Sequence, residues 1–395
     1  MKHTSSRALR GAALALALGL ISAAGAWAAP QTITIPNGTT VAHAVCGNGN
    51  IADNGNAPCD PSFDGNTVTI ATGGTVQGDV HGRLDEQTSA DTTATGNQVD
   101  ISGSVTGDSH GAWAHSITSG NATVTGNGLT VNSGAVTSTV IGGLATTDTS
   151  NATATATGNS VSVLDGSVNG EMIVGGKAAS TDGGDVVATG NTVTISGATL
   201  GAGVKVYAGW ADSTGTETAT NNTLTISGMP VFGAGVSLYG GATADGTSTG
   251  NTLNLHTAGL TVVDLAFFQN LSFYLPAGLT VGGNMLTATG TADLGMNAVV
   301  TVSLEGAGPA LHTGDTFNLI AGGVTGSIAP ESASGVLKGY NYKLEIPAGS
   351  NNLVLTIDAP VVTGTAAVPT LGETTLAVLG LLLAALAFVT LRRKV

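Results

Sequence analysis

Gly190-Asn191-Thr192-Val193-Thr194-Ile195-Ser196-Gly197 is the stretch that decides the fold. A Gly-Asn step leads into residues that alternate polar and apolar with the period of a strand, and a Gly-led turn closes the phrase. The phrase recurs as Gly65-Asn66-Thr67-Val68-Thr69-Ile70, Gly96-Asn97-Gln98-Val99-Asp100-Ile101 and Gly126-Asn127-Gly128-Leu129-Thr130-Val131. It returns as Gly158-Asn159-Ser160-Val161-Ser162-Val163, Asn221-Asn222-Thr223-Leu224-Thr225-Ile226 and Gly250-Asn251-Thr252-Leu253-Asn254-Leu255. Successive Asn residues lie 31, 30, 32, 32, 31 and 29 positions apart.

Around each phrase the order is constant. A second apolar run follows, such as Gly203-Val204-Lys205-Val206-Tyr207, and then a stretch of Ala, Thr, Asp and Gly leads to the next Asn. One such unit has too little apolar surface to fold alone, whereas stacked units bury a continuous core. The expected fold is all-β: a parallel β-helix (β-solenoid) of about seven coils of about 31 residues over 61–258. At roughly 4.8 Å per coil this makes a rod of about 34 Å. The recurrent Asn has two readings, an internal ladder of amides or a residue that tolerates a left-handed turn. A solenoid needs covered ends. Residues 29–60 are the expected N-terminal cap, and 259–358 a C-terminal β cap that opens with Phe267, Phe268, Phe273 and Tyr274.

The composition agrees. The 395 residues include 60 Gly, 9% charged residues and 4% aromatics. Disordered chains carry more charge, collagen needs Gly at every third place, and an ordinary α/β enzyme has about 25% charged residues.

Residues 1–28 read as a secretory signal peptide. Lys2, Arg7 and Arg10 precede an apolar run, and Ala26-Trp27-Ala28 suits a cut before Ala29. This implies the Sec machinery and signal peptidase as partners, the alternative being an uncleaved anchor. At the other end, 374–391 carries no charge, and Arg392, Arg393 and Lys394 follow it in a short cytoplasmic tail, 392–395. The segment is long enough for one transmembrane helix in the inner membrane, with the basic cluster as the stop and the bulk of the chain outside.

Between the β-region and that helix, a linker and motif segment (359–373) contains Val368, Pro369, Thr370, Leu371 and Glu373. This phrase, the apolar helix and the basic end together resemble the IPTL-CTERM sorting signal, a relative of the PEP-CTERM tails of Gram-negative bacteria. Val368 replaces the usual Ile, and no Trp follows Glu373. The resemblance implies an exosortase-type membrane enzyme as a partner and delivery to the cell surface or extracellular matrix. A plain C-terminal anchor is the alternative.

The repeats and the cap phrases Phe273-Tyr274-Leu275-Pro276, Gly314-Asp315 and Asn352-Leu353-Val354-Leu355 also resemble the passenger domain of bacterial autotransporters. That resemblance implies a surface-displayed β-helix. The membrane barrel that ends an autotransporter has no room after residue 358.

Without its two ends the chain keeps five of its 11 basic residues and 24 of its 25 acidic ones, a formal charge of −19. Such a surface repels nucleic acid. Both cysteines, Cys46 and Cys59, lie in the exported part, where an oxidising compartment favours a disulfide. It would close a loop of about 14 residues, with stabilisation of roughly 3 kcal/mol. A metal pair with His43 is the alternative reading.

The search for chemistry is brief. His81 and His110 hold matching repeat positions, each near an Asp (Asp79, Asp108), but a metal needs three or four convergent ligands. Asp79, Asp85, Glu86, Asp91 and Asp108 are the candidate carboxylates for glycan cleavage, with only Arg83 nearby. No nucleophile elbow, zinc-binding helix motif, P-loop or calcium nonapeptide is present. The expectation is a structural or adhesin-like surface protein with no enzymatic activity, catalytic residue, metal or cofactor. Its loops at 83–95, 144–157, 178–188 and 211–220 would meet surface glycans or matrix polymers. The alternative is a secreted carbohydrate-active enzyme on the same rod.

Overall fold

A computed structural model describes residues 30–47, 64–243, 245–361 and 372–392. In the coil that begins at Asn66, Val68, Ile70, Val76 and Val80 all point inward and are fully buried. Their places recur one coil later as Val99, Ile101 and Val105, paired in parallel without a register shift. This repetition makes the strands stack. Each coil from Asn66 to Asn222 supplies at least one strand to every stack.

Four stacks of strands form the body, and a fifth, mixed sheet that begins with Leu260–Val262 and Asn284–Ala288 forms the C-terminal part. The first runs from Thr32–Ile35 to Val299–Leu304 and holds ten parallel strands, which bound nine turns. The stack is therefore longer than the seven coils counted from the Asn repeat. The second consists of two-residue strands from Thr40–Val41 to Val231–Phe232. The third is bent, with two strands per coil, such as Val80–His81 and Leu84–Gln87. The fourth runs over six strands from Thr92–Thr95 to Thr247–Thr249.

The coil encloses two cores. The first, the second and the inner half of the bent sheet surround a Val, Ile and Leu core. The outer half of the bent sheet packs on the fourth sheet as a thin arm. Its core is almost wholly Ala: Ala94, Ala114, Ala122, Ala145, Ala154 and Ala178 are all inaccessible. Methyl-sized side chains let two sheets approach closely without voids, which gives the alternating Ala-Thr stretches their place in the fold.

The repeat Asn residues stand where the two cores meet. Asn66, Asn97, Asn127, Asn159, Asn191, Asn222 and Asn251 are all buried. The Oδ1 of Asn97 accepts both the backbone N–H of Asn66 at 3.0 Å and its Nδ2–H at 3.1 Å. The same pair of bonds links every later step to Asn251. The second Nδ2 hydrogen goes to a backbone carbonyl, in most coils one on the arm, as from Asn159 to Val124 at 3.2 Å. The ladder reading of the Asn thus holds. The left-handed turn belongs to the residue before it: Gly65, Gly96, Gly126, Gly158, Gly190 and Gly250 have φ of 62° to 74°, and Asn221 fills that place with φ 56°.

Both ends of the stack extend beyond the repeat. Thr32–Ile35, Thr40–Val41 and Val45–Cys46 pair in parallel with the next coil, so the segment expected as a cap is itself a coil. Cys46 is disulfide-bonded. Cys59 lies outside the described residues. Past residue 258, Asn270–Leu275 and Val299–Leu304 continue the parallel stack. The chain then turns antiparallel through Ser334–Leu337, Tyr340–Glu345 and Leu353–Pro360. The edge strand Val299–Leu304 is closed in part by a 3-10 turn at Pro330–Ser332, where the Val300 N–H donates to Ser332 Oγ at 2.9 Å.

A C-terminal helix spans Glu373–Arg392. Twenty residues make it about 30 Å long. Leu376, Val378, Leu379, Leu381, Leu382 and Leu386 on it are all exposed. Among the described residues no helix is long and apolar enough to cross a membrane, so the expected span rests on the sequence of 374–391.

Candidate functional site

The outer side of the bent sheet is the richest surface in chemistry. In each coil the second residue of the inner strand points away from the core: His81, His110, Ile141, Val174, Tyr207 and then Tyr239. Three positions on, Leu84, Trp113, Leu144, Lys177 and Trp210 point to the same side. The bend makes this side concave, so the first five of the inner file are buried although they face outward.

Aromatic stacking organises its two ends. Tyr207 stacks on Tyr239 with centroids 4.8 Å apart and on Trp210 at 4.9 Å. The Lys177 ammonium sits 3.6 Å above the Trp210 ring and 3.4 Å from Asp212. Burial pushes the Lys177 amine below its usual value despite that carboxylate. Burial, with Tyr239 and Asp212 adding to it, pushes the Tyr207 phenol up to about 12. Because the rings stack on one another along the axis, their edges rather than their faces meet solvent.

At the other end His81 and His110 stack with centroids 5.0 Å apart, and their Nδ1 atoms share a hydrogen bond of 3.1 Å. Burial lowers His81 to about 3, aided by His110, and lowers His110 to about 4 against the pull of Asp108. Both rings are neutral at physiological pH, with one Nδ1 as donor and the other as acceptor. The expected neighbourhood of two His and two Asp does form. It does not close around an ion: among the described residues no group of three or more His, Cys, Asp or Glu is arranged to hold a metal.

Most of the candidate carboxylates serve the backbone. Asp79 accepts the Asp108 N–H at 2.8 Å, Asp91 accepts the Asn121 N–H at 2.7 Å, and Asp108 accepts the Thr139 N–H at 3.1 Å. Burial pushes the Asp108 carboxyl up, but hydrogen bonds from Ser138 and Thr139 outweigh it and hold the group below its usual value. Asp85 points into the arm at the place Ala114 holds one coil later, pairs with buried Arg83 at 3.2 Å and accepts the Thr93 N–H at 3.1 Å. Asp64, also bound to Arg83, accepts the Thr95 N–H at 2.6 Å. These two acids accept N–H groups of Thr92–Thr95, the first strand of the fourth sheet among the described residues. Glu86 is exposed, as are Asp79 and Asp91, and lies 3.9 Å from His115.

The aromatic strip was not singled out from the sequence. Its signal was there: an aromatic or long side chain three residues after each outward stack position, as in His110/Trp113 and Tyr207/Trp210. Of the tail residues, Val368, Pro369, Thr370, Leu371, Arg393 and Lys394 lie outside the described residues. Glu373 begins the helix and Arg392 ends it.

Fold and tail together define a parallel β-solenoid that carries a C-terminal sorting signal. Residues 366–393 match the IPTL-CTERM motif, which covers the Pro-Thr-Leu phrase and the helix. No curated protein and no solved structure matches the chain.

Proposed function

We propose that this is a structural or adhesin-like protein of the bacterial surface or extracellular matrix, exported and then sorted through its tail. The observation that carries the reading is the IPTL-CTERM match at 366–393, placed directly after a rod whose C-terminal end is covered. In this account Sec and signal peptidase remove residues 1–28. Residues 374–391 then hold the chain in the inner membrane, with Arg392, Arg393 and Lys394 as the stop. An exosortase-type enzyme acts near Val368, Pro369, Thr370, Leu371 and Glu373. The disulfide of Cys46 with Cys59 pins the first coil in the oxidising compartment.

The role is non-enzymatic in this reading. Support comes from the carboxylates at 79, 85, 91 and 108, which are spent on backbone N–H groups rather than held as a free pair. Glycans or matrix polymers are the partners that suit an acidic, little-charged rod. The test is a strain lacking residues 368–395 beside the parent strain. Retention of the protein in the periplasm supports sorting, and unchanged surface location refutes it.

A further inference from the structure

The outer face of the arm has a geometry that the sorting and adhesive roles do not use. In the fourth sheet every second residue points outward, and the strands stack without a register shift. One file reads Thr95, Thr125, Thr157, Thr189, Thr220 and Thr249. Beside it runs Thr93, Thr123, Thr155, Val187, Thr218 and Thr247, with Val187 the only break. All twelve side chains are exposed or half-exposed.

The array repeats about every 4.8 Å along the stack and about 6.7 Å along each strand. Thr is β-branched and stiff at χ1, so hydroxyls and methyls recur in few orientations. Among these twelve, Thr189 bonds Thr220 at 3.0 Å, and among the described residues no other of these hydroxyls is hydrogen-bonded. Beneath them lies the close-packed Ala core, which holds the rows in line. The two files carry no charge in a chain with 25 acidic residues. They form no pocket, charged patch or aromatic platform of the kind that recognises a peptide, an anion or a single sugar. Only an uncharged partner that is itself periodic can engage every row at once. The oxygen lattice of hexagonal ice is such a partner, with repeats close to both spacings.

We propose that this Thr face is an ice-binding surface, on which hydroxyls and methyls order water into the lattice spacing. The site is independent of how the protein is delivered, so it stands or falls apart from the sorting proposal. The experiment is ice recrystallisation with the purified full chain in mild detergent, against detergent alone. Thr157→Tyr sits at the centre of the face, and Thr194→Tyr is an outward control on the first sheet. Circular dichroism melts check that both variants are folded. The expected result is several-fold slower coarsening of ice grains with the parent chain and with Thr194→Tyr, and loss of most of that effect with Thr157→Tyr. Coarsening at the rate of the detergent blank overturns the proposal, as does equal behaviour of the two variants. A parallel pelleting assay with powdered crystalline chitin covers the other periodic partner: Thr157-dependent pelleting without any effect on ice overturns the ice assignment in favour of a crystalline glycan.

Discussion

The Asn159 carboxamide closes four hydrogen bonds at once. Its Oδ1 accepts the N–H and the Nδ2–H of Asn127, and its Nδ2 donates to Val124 O and Asn191 Oδ1. A methyl in its place leaves buried donors and acceptors unmatched on both neighbouring coils. Asn159→Ala is expected to cost about 3 kcal/mol, whereas Ser162→Ala on the outer surface should stay within about 0.5 kcal/mol. Denaturant midpoints of the two variants check this. Ser109 poses the opposite case. It faces the main core between Val80 and Val140, and its hydroxyl is buried with no partner. The neighbouring coils show that Val fits there. Ser109→Val removes an unsatisfied polar group and adds apolar contact, so it should stabilise by about 1 kcal/mol and raise the melting temperature.

At the scale of the element, the arm and the outward strip each make a prediction. Asp85 and Arg83 replace small core residues at the first described rung of the arm, where among the described residues no strand precedes Thr92–Thr95. Asp85→Ala removes the acceptor of the Thr93 N–H and one of the carboxylates on the buried Arg83 guanidinium, Asp64 being another. It should cost about 2 kcal/mol, and Arg83→Ala added to it should cost less than the two single losses summed, since both changes remove the same ion pair. A double-mutant cycle on unfolding free energies reads the coupling. The His81–His110 pair predicts a pH dependence. Both pKa values fall on folding, from 6.5 to about 3 and about 4. Between pH 6.5 and those values the unfolded chain binds protons that the folded one refuses, so stability is full above pH 6.5 and declines as the pH falls. Ile141 and Val174 occupy the same place in the next coils. The variant His81→Val/His110→Ile should therefore flatten the fall in melting temperature between pH 7.5 and pH 5. An equal fall in parent and variant would place the pH dependence elsewhere.

On the scale of the whole molecule, legibility followed the ladder. The Asn phrase was readable because amide stacking tolerates only Asn in the interior rungs. The terminal coils escaped because the ladder ends on other groups. At the start the Gln31 backbone N–H donates to Asn66, and at the far end Gln269 Oε1 accepts the Asn251 N–H. The arm also escaped, since its inward Ala and outward Thr alternate too weakly in hydropathy to register as two packed sheets. The carboxylates at 79, 85, 91 and 108 looked chemical in the sequence because nothing there reveals which backbone N–H groups an edge leaves open.

The same edge logic argues the last prediction. A parallel stack presents unpaired N–H and C=O groups at each end, and exposed edges pair with other chains. Here the final rung, Val299–Leu304, buries Val300 and Val302. Beyond it lie the Pro330–Ser332 turn and the antiparallel strands, which reverse direction and so end the stacking. Removing residues 305–361 while keeping the tail should leave the nine-turn body folded but with an open, apolar end. Light scattering in the same detergent is expected to show dimers or larger assemblies of the shortened chain at concentrations where the full chain stays monomeric. Strand signal in circular dichroism should persist. A shortened chain that remains folded and monomeric would mean that the last parallel rung needs no cover, and that the antiparallel segment serves another purpose.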